Sequence, residues 1–512
     1  MRNLTRFVAP MCALVALCLL VPTAGANSKW GPLDLMHEFH ACFDLPEEDA
    51  GQLRVTMLGS TAAGNVFFAG QAPTITFQVE NTSADDIELA GHLEVIRYAQ
   101  RGVDGDPWFP RLVRLAEPVE VPLGVDATLA AGDWQDVTIT LPEPAHLGGY
   151  AVVLQLADTS RHYVTSFTRT FEPKLERVQH PKQALEKMPP EILARLGIQA
   201  IRWPVAFHPE GMGERREKYM ARIHAELREL HENKVTVVAE ISASHWNPYL
   251  PLGRPRPHLD DDGVMKDGKQ DRVWLPTWDD EYEQFVYDLV AEFGWPNGPI
   301  TGFMLWNEPW EGRSISGWQS DMPRYRELYT RLGDAVMRAR DEAGVDVLIG
   351  GADSTSNTWD KFFAEGIDNS PLWPAYFDFV SVHYQGLTAP VLYPDWNNRK
   401  HHNGRVLVWD TESWVANTDD RFLAAVAPMR AAGYDRVLGS LSRIAVNTLS
   451  HRRIARDTIR TADGDVEVDR HLESRPLAAA YAASQHFIGE REFREILFKN
   501  GLPWVFVFDG LD

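Results

Sequence analysis

The stretch Thr301-Gly302-Phe303-Met304-Leu305-Trp306-Asn307-Glu308-Pro309-Trp310 constrains this chain more than any other. An apolar run bounded by a glycine and stopped by a proline has the form of a strand buried in a parallel sheet, and it delivers Glu308 at the strand's C-terminal end. That is the end at which α/β barrels carry out chemistry. Trp306 and Trp310 flank the carboxylate and solvate its ionised form poorly, so Glu308 is expected to hold a proton near neutral pH and to serve as a general acid.

The same grammar recurs in Arg405-Val406-Leu407-Val408-Trp409-Asp410-Thr411-Glu412-Ser413-Trp414. Again an apolar strand ends in a glutamate beside tryptophans. If both strands belong to one barrel, three strands apart, the two carboxylates converge across its mouth. Paired carboxylates in unequal environments suit cleavage of a glycosidic bond, one protonating the leaving oxygen and one attacking the anomeric carbon.

The W-N-E-P at 306 to 309 and the W-D-T-E at 409 to 412 resemble the acid/base and nucleophile motifs of clan A glycoside hydrolases. The layout is most similar to glycoside hydrolase family 39 and its relatives, with some likeness to family 5, over roughly residues 185 to 490. The resemblance implies an acid/base at Glu308 on strand four, a nucleophile at Glu412 on strand seven, and net retention of configuration. It also places Arg202, at the end of Ile198-Gln199-Ala200-Ile201-Arg202-Trp203-Pro204, where the clan has an arginine that hydrogen-bonds the nucleophile. A nearby cation keeps a carboxylate ionised. His383 and Tyr384, closing the strand Asp378–Tyr384, resemble a histidine and a tyrosine that the clan carries there, one near the acid/base and one donating to the nucleophile. Adjacent strand residues point oppositely, so one of the two is expected to face the cleft, and His383 is favoured. Asn307, Trp246, Trp310 and Trp414 complete the expected substrate-binding set. The strand eight segment Tyr434–Ser440 departs from the clan in having no tryptophan, so a substrate choice does not carry over from relatives.

The 512-residue length calls for two or three domains. Residues 1–26 open with Arg2 and Arg6, run apolar from Phe7 to Val21 and end Ala24-Gly25-Ala26. This is the pattern of a secretory signal peptide cut before Asn27, leaving no membrane span in the mature chain and a secreted or periplasmic location. Cys12 and Cys18 would leave with it, so Cys42 remains alone and internal disulfides are excluded. Residues 27–50 form a leader of unassigned structure. His37, His40 and Cys42 lie close in it, but packing explains them better than a metal site.

From about 51 to 172 the period shortens to two, as in Thr74-Ile75-Thr76-Phe77-Gln78-Val79-Glu80 and Val137-Thr138-Ile139-Thr140-Leu141. Short alternating strands separated by turns predict an immunoglobulin-like all-β sandwich, serving either as a carbohydrate-binding module or as a buttress. Residues 173–490 then predict a (β/α)8 TIM barrel. Its strand one is sought between Phe171 and His180, and helices are expected over Met188–Leu196, Glu214–Asn233, Asp279–Phe293, Arg324–Ala343 and Pro476–Ile488. The loop Ser242–Leu275 is long enough to overhang a cleft. Trp246 in it is a sugar platform or a packing residue, and Asp260-Asp261-Asp262 lacks the spacing of a calcium loop. Residues 491–512 predict a hairpin whose last strand is an exposed edge, which points to a shortened chain or to a further β-domain.

The net charge of -22 argues against nucleic acid as a partner. The 17 tryptophans suit flat sugar rings as well as a core. A carbohydrate substrate is expected, with no metal and no cofactor. The alternatives left open are a non-catalytic sugar-binding or cell-surface barrel, and a lyase or transglycosylase using the same residues.

Overall fold

The protein was analysed as a computed structural model that describes residues 39–46, 52–103, 106–174, 176–186, 188–242, 258–259, 265–266, 276–309, 322–351, 376–383, 400–401, 404–412, 418–439, 445–446, 448–450, 453–454, 456–497 and 504–510. The sequence-predicted change of period near residue 172 separates a mostly antiparallel unit from one built on a parallel sheet. In the first, the antiparallel strands Leu53–Ser60, Thr74–Asn81 and Trp134–Thr140 form one sheet. A second runs in the order Val66–Phe68, Arg161–Thr170, Gly148–Leu156, Gly91–Val103, Asp106–Arg114, with Val119–Pro122 also paired to Gly91–Val103.

Alternation decides what these sheets bury. Ile75, Phe77, Val79 and Val137 point inward and meet Leu93, Val95, Val152, Leu154 and Phe167 of the other sheet in one core. The intervening threonines face outward and pair across the strands, Thr74 with Thr140 and Thr76 with Thr138, at 2.9 Å. The run Ala151–Leu154 departs from simple alternation because it is buried on both faces. Its outer side, Ala151 and Val153, is covered with Ile96 and Tyr98 by Phe39, Phe43 and Leu45 of the leader, whose residues 39–43 are helical. Cys42 packs against the same cluster.

The second unit contains eight parallel strands: β1 (Gln183–Glu186), β2 (Ala200–Ala206), β3 (Thr236–Ser242), β4 (Ile300–Leu305), β5 (Leu348–Gly351), β6 (Phe379–His383), β7 (Leu407–Glu412) and β8 (Val437–Gly439). They neighbour one another in chain order from β1 to β7, and β8 pairs with β1. The open ends also meet, through a parallel bridge between Trp409 and Arg436. Asp410 N–H donates to Arg436 O at 2.9 Å, and Asp435 N–H to Val408 O at 2.9 Å. The sheet is thereby closed into a barrel. Helices α1 (Pro190–Leu196), α2 (Glu214–Glu232), α3 (Asp279–Phe293) and α4 (Met322–Ala343) follow β1 to β4 in turn. After β7 comes α5 (Phe422–Ala431), and α6 (Pro476–Phe487) follows β8. The predicted helices agree with these to within two residues at most ends. Gly197 stops α1 as expected, with φ of 74° and its N–H returned to Ala194 O and Leu193 O.

Strand one requires a correction. It lies at Gln183–Glu186, beyond the Phe171–His180 interval in which the sequence was searched. Four residues with only Ala184 and Leu185 apolar carry no periodic signal of their own; the segment is a strand because it fits between β2 and β8. A hairpin of Arg456–Thr461 and Gly464–Asp469 was also not foreseen. It reaches back to the first unit, where Gln78 bonds both the N–H and the carbonyl of Arg460, at 2.7 and 3.0 Å. The predicted C-terminal hairpin is present as Phe493–Leu497 paired with Val505–Phe508.

The two units are joined by buried polar contacts. Glu473 Oε2 accepts from Tyr163 O–H at 2.6 Å and from Ser166 N–H at 2.9 Å. Leu477 N–H, at the start of α6, donates to Gln100 Oε1 at 2.9 Å. No described helix is long and apolar enough to cross a membrane.

Candidate active site

Strand β4 is buried at every position, as an apolar strand between two parallel neighbours must be. Its C-terminal exit is conformationally unusual. Trp306 has φ of 59° and Glu308 φ of 44°, both in the left-handed region that residues with a Cβ avoid. Each costs on the order of 1–3 kcal/mol, which the surrounding packing must offset. Trp306 N–H is held by Ile241 O at 2.9 Å, and Tyr325 O–H donates to Leu305 O at 2.6 Å. The strained turn aims Glu308 back over the barrel mouth.

Glu412 closes β7, and its own N–H donates to Asp410 Oδ1 at 3.0 Å. His383 closes β6 and sits in register with Glu412, after an irregularity between Val382 and His383. Its Nδ1 lies 2.8 Å from Glu308 Oε1 and 4.0 Å from Glu412 Oε2. Its Nε2 lies 3.1 Å from Thr411 Oγ1, which is in turn hydrogen-bonded to Ser381 Oγ. The His383 ring is wholly buried, whereas Glu308 and Glu412 keep 6% and 7% of their surface open to solvent. Both carboxylates are therefore recessed but not sealed.

Arg202 on β2 spans the opposite side. Nη1 donates to Glu412 Oε2 at 2.7 Å and to Thr411 O at 3.3 Å. Nη2 donates to Asn307 Oδ1 at 2.6 Å and to Glu240 Oε2, and Nε donates to the same Glu240 oxygen at 2.9 Å. A guanidinium this close favours the ionised form of Glu412. The two glutamates thus differ in their partners: Glu412 faces a permanent cation, while Glu308 faces an imidazole.

Ligating atoms of Glu308, His383 and Glu412 all lie within 4.8 Å of one another. Two carboxylates and an imidazole are a donor set that a divalent cation accepts. The Arg202 guanidinium 2.7 Å from Glu412 opposes a second cation at this point by direct repulsion.

Of the site residues expected from sequence, the structure brings together Glu308, Glu412, Arg202, Asn307 and His383. Tyr384, Trp246, Trp310 and Trp414 lie outside the described residues, as does most of the Ser242–Leu275 loop. Glu240, Thr411 and Asp410 were missed. The signal for Glu240 was a single charge inside the buried run Thr236-Val237-Val238-Ala239-Glu240-Ile241, and Asp410 stands out in β7 for the same reason. An ionisable group buried in a largely apolar strand must find a hydrogen-bonding or charged partner.

No family model matches the chain, and no curated protein matches it. Among solved structures, the chain is similar to a family 39 glycoside hydrolase from the gut symbiont Bacteroides cellulosilyticus WH2, at 15% identity and a TM-score of 0.48, over 89% of this chain and 87% of that one. It is also similar to a glycoside hydrolase family 30 subfamily 8 xylanase from Clostridium acetobutylicum, at 12% identity and a TM-score of 0.42, over 64% of this chain and 77% of that one.

Proposed function

We propose that this protein is a secreted retaining glycoside hydrolase acting on a poly- or oligosaccharide. The observation that carries the reading is the approach of Glu308 and Glu412, each of which brings one carboxylate oxygen to within 4.8 Å of the other's, the carboxyl groups as wholes standing slightly farther apart than that one oxygen pair. Retaining enzymes hold their carboxyl groups about 5–5.5 Å apart, whereas inverting ones need about 6.5–9.5 Å to admit a water. The spacing favours direct attack by one carboxylate over activation of a water between the two.

Glu308 protonates the departing glycosidic oxygen as Glu412 attacks the anomeric carbon, giving a glycosyl ester on Glu412. Glu308, now ionised, removes a proton from water, which attacks the same carbon and releases the sugar with its configuration retained. Arg202 keeps Glu412 ionised for the first step. Glu308 sits where an imidazole can stabilise either of its protonation states through the His383 hydrogen bond, which suits a group that must cycle between them. The N-terminal pattern of residues 1–26 supports the reading as a secreted protein, and the two facing sheets of residues 52–174 are read as an immunoglobulin-like unit serving the barrel.

The test is chemical rescue on aryl glycosides. Glu412→Gly is expected to abolish hydrolysis and to recover turnover with azide, releasing a glycosyl azide of inverted configuration. Activity untouched by this change, or rescue confined to variants of Glu308, would refute the assignment.

A further inference from the structure

We propose that Glu240 is a positioning residue that holds Arg202 and serves as its counter-ion through turnover, so that Arg202 is never left as an unpaired cation when Glu412 becomes an ester. The inference rests on the reading of Glu412 as nucleophile. It begins from burial. Glu240 is 4% exposed and Arg202 9%, and ionised groups so far from water persist only when paired.

The geometry assigns the pairing. Glu240 Oε2 receives both Nε, at 2.9 Å, and Nη2 of Arg202. This fork fixes the guanidinium plane and leaves Nη1 directed at Glu412 Oε2, at 2.7 Å. Asn307 Oδ1 takes Nη2 as well, at 2.6 Å. Arg202 is thus held from β3 and β4 while it reaches β7.

Two carboxylates share one cation, and the consequence changes during reaction. In the free enzyme, Glu240 and Glu412 both draw on Arg202, so Glu412 is ionised without being fully neutralised, and it keeps its nucleophilicity. When the Glu412 oxygen forms its bond to the anomeric carbon, the leaving oxygen takes the Glu308 proton and the charge on Glu412 is lost to the ester. Arg202 would then be a buried cation facing a neutral group. Glu240 remains ionised beside it, so the pair stays neutral in the glycosyl-enzyme state. The charged and titratable groups around Glu412 among the described residues are Arg202 from β2, Glu240 behind it on β3, Glu308 from β4, His383 from β6 and Asp410 on its own strand.

The experiment compares Glu240→Gln with wild type on a leaving-group series. The substitution keeps shape and removes charge. The expected result is a fall in kcat/KM of up to about 100-fold, largest with poor leaving groups, with thermal unfolding close to wild type. The acid limb of the kcat/KM profile should move to lower pH, because removing a negative charge behind Arg202 strengthens its hold on the Glu412 carboxylate. A merely structural role would leave that limb in place. Glu240→Asp, which keeps the charge, should recover part of the rate and serves in place of Glu240→Gln if that variant does not fold. Carbon-13 NMR of the Glu412 carboxyl, assigned by its loss in Glu412→Gln, gives a readout independent of turnover; its midpoint should fall in Glu240→Gln. An unmoved acid limb and midpoint, or a shift to higher pH, overturns the proposal. If Glu412→Gly shows azide rescue while the Glu240 variants behave as wild type, this inference fails and the hydrolase reading stands; if no glycoside is turned over, the hydrolase reading fails and takes the turnover role with it, while the NMR midpoint still decides whether Glu240 sets the charge at Glu412 through Arg202.

Discussion

His383 Nδ1 lies 2.8 Å from Glu308 Oε1, on a ring with no exposed surface. The contact joins the last residue of β6 to the turn after β4, and Thr411 of β7 meets the other ring nitrogen at 3.1 Å. Three strand ends are thereby tied through one imidazole. In the tautomer that carries its proton on Nδ1, His383 donates to Glu308 and accepts at Nε2 from the Thr411 hydroxyl, which steadies the carboxylate that the proposed second half-reaction needs. His383→Ala is expected to cost about 100-fold in kcat for deglycosylation-limited substrates. Thr411→Val, which removes the hydroxyl at Nε2 and its hydrogen bond to Ser381, should cost less. Steady-state rates and burst kinetics on dinitrophenyl glycosides measure both.

Glu308→Gln should reveal its role through the leaving group. For substrates whose leaving oxygen needs a proton, kcat/KM should fall by about 10²–10⁴-fold. For dinitrophenolate, which departs unaided, the first step should be nearly unaffected. A uniform loss across the series, measured as a Brønsted plot, would place Glu308 outside acid catalysis.

Gly302→Ala tests how tightly the two glutamate strands are packed. A Cβ at Gly302 would sit 2.9 Å from Trp409 Cζ3 and 3.4 Å from Phe379 Cε1. Trp409 cannot easily retreat, because Phe379 stacks on it with centroids 4.0 Å apart and the Arg436 guanidinium lies 4.1 Å from its ring. Overpacking of this kind costs about 1–3 kcal/mol, read as a lowered midpoint in urea unfolding. Trp409 precedes Glu412 on β7, so kcat should fall as well.

Two half-buried groups give stability trends of opposite sign. Burial raises Asp419 from its ordinary 3.8 to about 6, with Asp420 adding to the rise and Arg101 opposing it. The folded chain then holds a proton there that the unfolded chain releases, so this group's contribution is full below 3.8 and is lost as pH rises through about 6. Asp419→Asn should therefore raise Tm at about pH 7.5 and leave it unchanged at about pH 4.

His180 behaves in the reverse sense. Burial, assisted by Arg436, pushes it down from 6.5 to about 4. Its contribution is full above 6.5 and is lost as pH falls through about 4. His180→Gln should flatten the acid side of the Tm profile and leave the neutral side alone. Differential scanning calorimetry across the pH range distinguishes the two groups by sign, since their windows, 3.8 to about 6 and about 4 to 6.5, overlap while their slopes oppose.

The sequence by itself determined where Glu308 and Glu412 stand, at the ends of two buried strands. A central parallel strand is buried on both faces, so it must be a continuous apolar run, and its C-terminal exit is visible locally as the point where Trp306-Asn307-Glu308 and Asp410-Thr411-Glu412 interrupt that run. The helices were legible for the same reason, since α3 shows its apolar stripe within a few turns. Only the tertiary structure decided which segment is β1, because Gln183–Glu186 owes its conformation to Ile201 and Val437, residues distant in sequence. It alone decided that Glu240 shares Arg202 with Glu412, and which His383 nitrogen meets Glu308. These are contacts between side chains on different strands, and closing a barrel is what brings them within hydrogen-bonding distance; no local pattern records a partner that far along the chain.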